Sequence, residues 1–132
     1  MALEGALKLK EVSYVHAEGC AAGEMKHGFI AMLDRTFPTI ALVGREPLLE
    51  SKMCSNIQEV KRCSSPLILI ATEGSAAAAE LADHCIYTPQ NLDFLEPIYS
   101  VVVMQMFAHA VARAKRLTPD KPRQLAKSVT VE

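Results

Sequence analysis

A glutamate, a lysine and a second glutamate stand at positions 4, 8 and 11, four and then three residues apart. On a helix that spacing puts Glu4, Lys8 and Glu11 on one narrow stripe, with Val15 continuing it. Leu3, Ala6, Leu7 and Tyr14 fall on the far side, with Ala2, Leu9 and Ser13 beside them, a broad and mostly apolar surface that can be buried. Glycines at 19, 23 and 28 then break the regular helix around Glu24, Lys26 and His27. A carboxylate beside a cation, followed by a histidine, supplies the parts of general acid–base chemistry. On pattern alone the commoner reading is a solvated helix face, stabilised by about 0.2–0.5 kcal/mol per pair. Glu11 becomes a proton-transfer group only if burial raises its pKa towards neutrality, against the opposing pull of Lys8.

Other side chains were weighed in the same way. Lys127 in the tail can attack a carbonyl if burial or nearby cations lower its pKa from about 10.4, and nothing in its own neighbourhood demands this. Gly74-Ser75 precedes an alanine run (Ala76–Ala79) and could cradle an anion on free N–H groups. It lacks the Gly/Ser/Thr richness of phosphate loops, so Ser75 reads as a helix cap. His16, His84 and His109 have no partners at useful spacing and read as structural. The cysteines at 20, 54, 63 and 85 show neither C-x-x-C nor metal-type spacing, so no metal site is expected. They read as reduced thiols of a cytoplasmic protein, Cys54 and Cys85 as packing residues.

The elements that must position these groups follow from the apolar pattern. Thr39–Val43 and Pro66–Ala71 are short continuous apolar runs, as in buried parallel strands, and Cys85–Tyr87 is a weaker third. Residues 47–62 carry Leu49, Met53, Ile57 and Val60 at helical spacing, with Pro47 in the first turn. A long helix is expected from Phe94 to Leu117. Asp93 and Glu96 form a capping-box pattern at its start, it is apolar nearly all round from Ile98 to Val111, and it turns basic at its end. The fold class is therefore α/β with a parallel sheet.

With 132 residues, half of them hydrophobic and 22% charged, the chain is one globular domain's worth. A net charge of −1 argues against a nucleic-acid binder with a broad basic surface. The most apolar run, Pro97 to Val111, is too short for a membrane span, which takes about 20 residues. The chain opens in a helix with no strand before it, so the sheet is expected to lack its first strand and the polypeptide to be a fragment or to depend on a partner.

Two stretches narrow the function. ALEGALKLKEVSYVHAEGCAAGEMKHG at the start and PDKPRQLAKSVTVE at the end closely resemble the glutamine–fructose-6-phosphate aminotransferase family, and the resemblance extends over essentially the whole chain. It implies the later part of the isomerase half: a flavodoxin-like sugar-isomerase (SIS) domain over residues 1–117, without its first strand, and an extended C-terminal tail over 118–132. It implies synthesis of glucosamine 6-phosphate from fructose 6-phosphate and glutamine. Lys127 would form an imine with the sugar's C2 carbonyl, and Glu11 would carry the proton between C1 and C2. His27 would assist ring opening in the neighbouring subunit of a homodimer. Glu4, Lys8 and Arg123 match further substrate-site positions, and Ala126 and Val129 match the lining of an ammonia passage. No cofactor is implied. Phe29 departs from the proline that usually follows the KHG tripeptide. The glutaminase domain and the first SIS domain are absent, so the chain alone is expected to be catalytically incomplete. Two other readings of a different class are a non-catalytic sugar-phosphate-binding module that regulates a partner, and an interaction fragment that assembles through an exposed sheet edge.

Overall fold

The computed structural model describes residues 1–75, 79–90 and 92–125, with Asp93 described in its backbone alone. It divides into two compact units, one of Met1–Gly19 with Val101–Glu132 and one of Cys20–Ser100.

The second unit is built on a parallel sheet. Strands β1 (Thr39–Val43), β2 (Leu67–Thr72) and β3 (His84–Thr88) pair in that order, with Thr39 opposite Leu67 and Ile68 opposite His84. These are the three expected runs, displaced by a residue at some ends. Helix α2 (Pro47–Arg62) makes the crossover from β1 to β2 and buries Ile57 and Val60 against Ala41, Val43, Leu67, Leu69 and Ala71. Met53 and Cys54 join the rim of that core, as does Cys85 of β3. Leu49, expected on the same face, is 61% exposed, because the packed face of α2 starts only at its second turn. Pro47 opens α2 as anticipated, and the cap is the Glu46 carboxylate, which accepts from the N–H groups of Leu48 at 3.3 Å and Leu49 at 2.7 Å.

The carboxyl ends of the strands are tied together by hydroxyls. Thr72 Oγ1 donates to Glu96 Oε1 at 3.1 Å, and Ser75 Oγ donates to the Gly44 carbonyl at 3.4 Å. A β-carbon on Gly44 would come within 2.7 Å of Glu96 Oε2, so a larger residue there would displace that carboxylate. The Glu96 carboxylate thus accepts from Thr72, and the Asp93 side chain of the expected capping box lies outside the described residues. Ser75 spends its hydroxyl on Gly44, and the alanine run after it, residues 76–78, lies outside the described residues.

In the first unit, helix α1 (Ala2–Ser13) buries Gly5, Ala6, Leu9 and Ser13. Here the structure corrects the expected buried face: Leu3 is 74% exposed and Leu7 41% exposed. The reason is the shape of the neighbour. Helix α3 (Glu96–Ala114) carries Met104 against Gly5, where a larger residue would collide, so the small-residue side of α1 is the side that packs. Val15 lies beyond α1, which ends at Tyr14 in the left-handed conformation (φ 55°). The chain then returns along the helix, and Gly19 comes to rest on the backbone of Ala2 and Leu3.

Helix α3 was expected to pack on several sides. Its buried residues are Met104, Ala108 and Ala112, at four-residue spacing, while Ile98, Val102 and Met106 are exposed. It stops at Ala114, short of Leu117. The Arg116 N–H bonds to the Arg113 carbonyl and the Leu117 N–H to the Ala112 carbonyl, both at 2.9 Å, with Arg116 at φ 58°. This Schellman-type end closes the helix before the Thr118-Pro119 pair is reached.

Candidate functional site

The charged stripe forms as its spacing requires, because one unbroken helix carries all three residues. Lys8 Nζ lies 2.7 Å from Glu11 Oε2 and 3.6 Å from Glu4 Oε1. The side chains retain 29% exposure at Lys8, 28% at Glu11 and 41% at Glu4, less than a freely solvated helix face leaves. The hydrogen bond to Glu11 holds the Lys8 ammonium above the usual lysine range, against a smaller opposing effect of burial. The stripe is therefore a fixed cation between two carboxylates, a unit suited to gripping hydroxyls and to moving a proton at carbon.

The end of α1 is secured from two directions. Ser13 Oγ donates to the Leu9 carbonyl at 2.6 Å, and the Ser13 carbonyl accepts from Lys115 Nζ, also at 2.6 Å. A cation at the carboxyl end of a helix complements its dipole. One residue on, the Tyr14 hydroxyl accepts the Arg123 backbone N–H at 2.7 Å, and the Arg123 guanidinium lies 4.0 Å from the centre of the Tyr14 ring. That backbone hydrogen bond is the main cause holding the Tyr14 phenol below its ordinary pKa. Helical spacing alone places Tyr14 with the apolar face of α1. Nothing in its neighbours marks a tyrosine that leaves the helix in a left-handed turn and meets Arg123.

The structure thus brings Glu4, Lys8 and Glu11 together, and joins Tyr14 at the end of the same helix to Arg123. His27 is exposed at the last position of a 3₁₀ turn, Ala22–His27, in the second unit, and Phe29 begins another, Phe29–Met32. Lys127, Ala126 and Val129 lie outside the described residues. Among the described residues no three His, Cys, Asp or Glu side chains are grouped so as to hold a metal ion, and no helix is long and apolar enough to cross a membrane.

A parallel sheet with a packed crossover helix, and polar groups at the carboxyl ends of its strands, defines an α/β domain. The sequence model of the SIS domain matches residues 1–114, and the chain belongs to the SIS domain family. Among curated relatives, the glutamine–fructose-6-phosphate aminotransferase [isomerizing] of Methanosarcina acetivorans is 50% identical over 132 residues, all of this chain and 21% of the relative. The protein of the same name from Thermus thermophilus is 51% identical over 131 residues, 99% of this chain and 22% of the relative. The chain therefore spans about a fifth of the length of the relatives it matches.

Solved structures agree. The C-terminal domain of glucosamine-fructose-6-phosphate aminotransferase from Francisella tularensis superposes with a TM-score of 0.80 at 36% identity, covering 91% of this chain and 34% of that one. A putative tagatose-6-phosphate ketose/aldose isomerase from Clostridium novyi superposes with a TM-score of 0.81 at 16% identity, covering 97% of this chain and 36% of that one, and speaks for the fold alone.

Proposed function

We propose that the chain is the C-terminal isomerase portion of an aminotransferase that makes glucosamine 6-phosphate from fructose 6-phosphate and glutamine. The observation that carries this is the partly buried Glu4–Lys8–Glu11 stripe, in a chain half identical along its whole length to relatives bearing that activity in their names. Lys127 is the nucleophile. Its amine adds to the C2 carbonyl of the opened sugar, water leaves, and the resulting iminium draws electron density from the neighbouring C1–H bond. Ammonia adds to C2 while it is still an iminium, the bond from C2 to the lysine nitrogen breaks and Lys127 leaves as its free amine, so that C2 carries the nitrogen the product keeps. Glu11 takes the proton from C1 and returns it to C2, leaving the C1 aldehyde of the amino sugar.

Glu4 and Lys8 hold the sugar beside that carboxylate, and Arg123 offers guanidinium donors at the edge of the site. His27 assists ring opening in the neighbouring subunit of a homodimer. Ala126 and Val129 border the path by which ammonia arrives. Glutamine hydrolysis and the grip on the sugar phosphate belong to glutaminase and first SIS domains that work with this chain in the same cytoplasmic enzyme.

Chain connectivity supports the pairing of Lys127 with Glu11. Arg123 is joined to Tyr14, three residues past Glu11, and four residues of chain reach at most about 14 Å. The test is reduction by borohydride of the polypeptide or complex that carries this chain, in the presence of fructose 6-phosphate. The sugar is expected on Lys127, and Lys127→Arg is expected to abolish both the adduct and glucosamine 6-phosphate formation. Binding of sugar phosphate without any adduct would replace this reading with a non-catalytic, regulatory SIS module.

A further inference from the structure

We infer that Tyr14 is a positioning residue: its hydroxyl and ring clasp Arg123 and so fix where the chain beyond residue 123 begins, at the end of the helix that carries Glu4, Lys8 and Glu11. This rests on the reading of Lys127 as the imine-forming amine and adds the residue that delivers it.

The clasp uses two different parts of one side chain. The phenolic oxygen accepts the Arg123 backbone N–H at 2.7 Å, which fixes the main chain, and the ring face carries the guanidinium at 4.0 Å, which fixes the side chain. A guanidinium over a tyrosine ring is attracted by the ring's quadrupole, and Arg123 adds a side-chain hydrogen bond to the same phenol. Tyr14 is itself held. It sits in the left-handed turn that ends α1, its N–H bonds to the Lys10 carbonyl at 3.2 Å, and Lys115 takes the carbonyl of the preceding Ser13. Along the helix axis, three residues separate Tyr14 from Glu11, about 4.5 Å of rise.

The consequence is one of effective concentration. The end of α3 is closed at Leu117, ten residues before Lys127, whereas Arg123 is only four residues before it. Shortening a tether from ten residues to four raises the local concentration of its end about four-fold, by the three-halves power of length. The backbone hydrogen bond of the clasp therefore acts on the rate at which the amine meets the carbonyl, while the ring alone still holds the guanidinium.

The first experiment needs no substrate. In this chain, amide hydrogen exchange at Arg123 is expected to be slow, and Tyr14→Phe, which keeps the ring and removes the acceptor, to speed it at least five-fold with the amides of Leu9 and Ser13 unchanged. Tyr14→Leu, which also removes the ring, is expected in addition to speed tryptic cleavage between Arg123 and Gln124. Arg123→Ala, which keeps the backbone N–H and removes the guanidinium, should raise the Tyr14 phenol pKa in an absorbance titration by the smaller, side-chain part of the effect. Equal exchange at Arg123 in the wild type and Tyr14→Phe overturns the clasp. In the polypeptide that turns over, Tyr14→Phe is expected to lower the rate of adduct formation at Lys127 about four-fold with KM for fructose 6-phosphate unchanged, and a change confined to KM overturns the positioning role. If the wild type forms no adduct at Lys127 while exchange responds as described, the imine reading fails and the clasp stands.

Discussion

Gly19 rests on Ala2 so closely that a β-carbon at residue 19 would lie 2.5 Å from the Ala2 carbonyl carbon and 2.6 Å from the Leu3 nitrogen. Both are backbone atoms, and neither can rotate away. The segment that leaves the left-handed turn at Tyr14 is thereby laid back along α1 as far as its first residues. Gly19→Ala is expected to destabilise the chain by about 3 kcal/mol, measured by urea denaturation. Gly23→Ala is the control: a β-carbon there meets nothing within 4 Å, and the change should stay within about 0.5 kcal/mol.

A softer version of the same constraint joins Gly5 to Met104. A β-carbon on Gly5 would approach Met104 Cγ to 3.1 Å and Cβ to 3.3 Å, and would overlap the terminal methyl outright. Gly5→Ala gains about 1 kcal/mol of helix propensity, but overpacking the contact costs about 1–3 kcal/mol. A net loss near 1 kcal/mol is expected. The diagnostic is the double variant: with Met104→Ala the space is vacated, and Gly5→Ala added to it should be neutral or stabilising. Additive losses in the two variants would show that Met104 is not what excludes a side chain at residue 5.

These two glycines also show why parts of the fold were legible in the sequence and others were not. The runs TIALV and PLILIA read as parallel strands, and they form β1 and β2, paired with each other. The face of α1 was misjudged because hydropathy ranks Leu3 and Leu7 as core residues, while burial is settled by the shape of Met104, which accepts a glycine. The early stop of α3 was hidden in the same way: a left-handed Arg116 carries no sequence mark, whereas the prolines further on do. The charged row was visible from spacing alone, but spacing could not separate a site from a solvated face. Its partial burial and the Tyr14–Arg123 contact are tertiary facts, and the resemblance in the tail was what gave the row a chemistry.

Acid sensitivity should centre on Asp83. Its carboxylate accepts from Lys61 Nζ at 2.6 Å and from the Leu67 N–H at 2.7 Å, joining the end of α2 to the start of β2. The Lys61 hydrogen bond, followed by that from Leu67, holds its pKa below the ordinary aspartate value, which is about 3.9. A carboxylate with a depressed folded-state pKa contributes stability above its unfolded value, and that contribution is lost as pH falls through the folded one. Asp83→Asn should therefore flatten the stability–pH curve below about pH 4, while the wild type continues to lose stability there. Parallel curves for the two proteins would remove Asp83 from the acid limb.

The last prediction separates structure from chemistry on α1. Lys8→Met removes the cation between Glu4 and Glu11. For stability, the raised Lys8 pKa means that its contribution is present below its unfolded value, about 10.4, and is lost only as pH rises through the folded one. At neutral pH the cost should stay below about 1 kcal/mol, because the pair retains solvent contact. Glu11→Gln leaves the shape of the stripe and the rotamer of the side chain intact, and its stability should change as little. Its effect on the reaction should be far larger, because an amide cannot take up the C1 proton. In the polypeptide that turns over, glucosamine 6-phosphate formation is expected to fall about 10²- to 10⁴-fold, while borohydride still fixes sugar to Lys127. Turnover in Glu11→Gln within about two-fold of wild type, a range too small for loss of a general base, would assign the proton transfer to another group and return the stripe to a purely structural role.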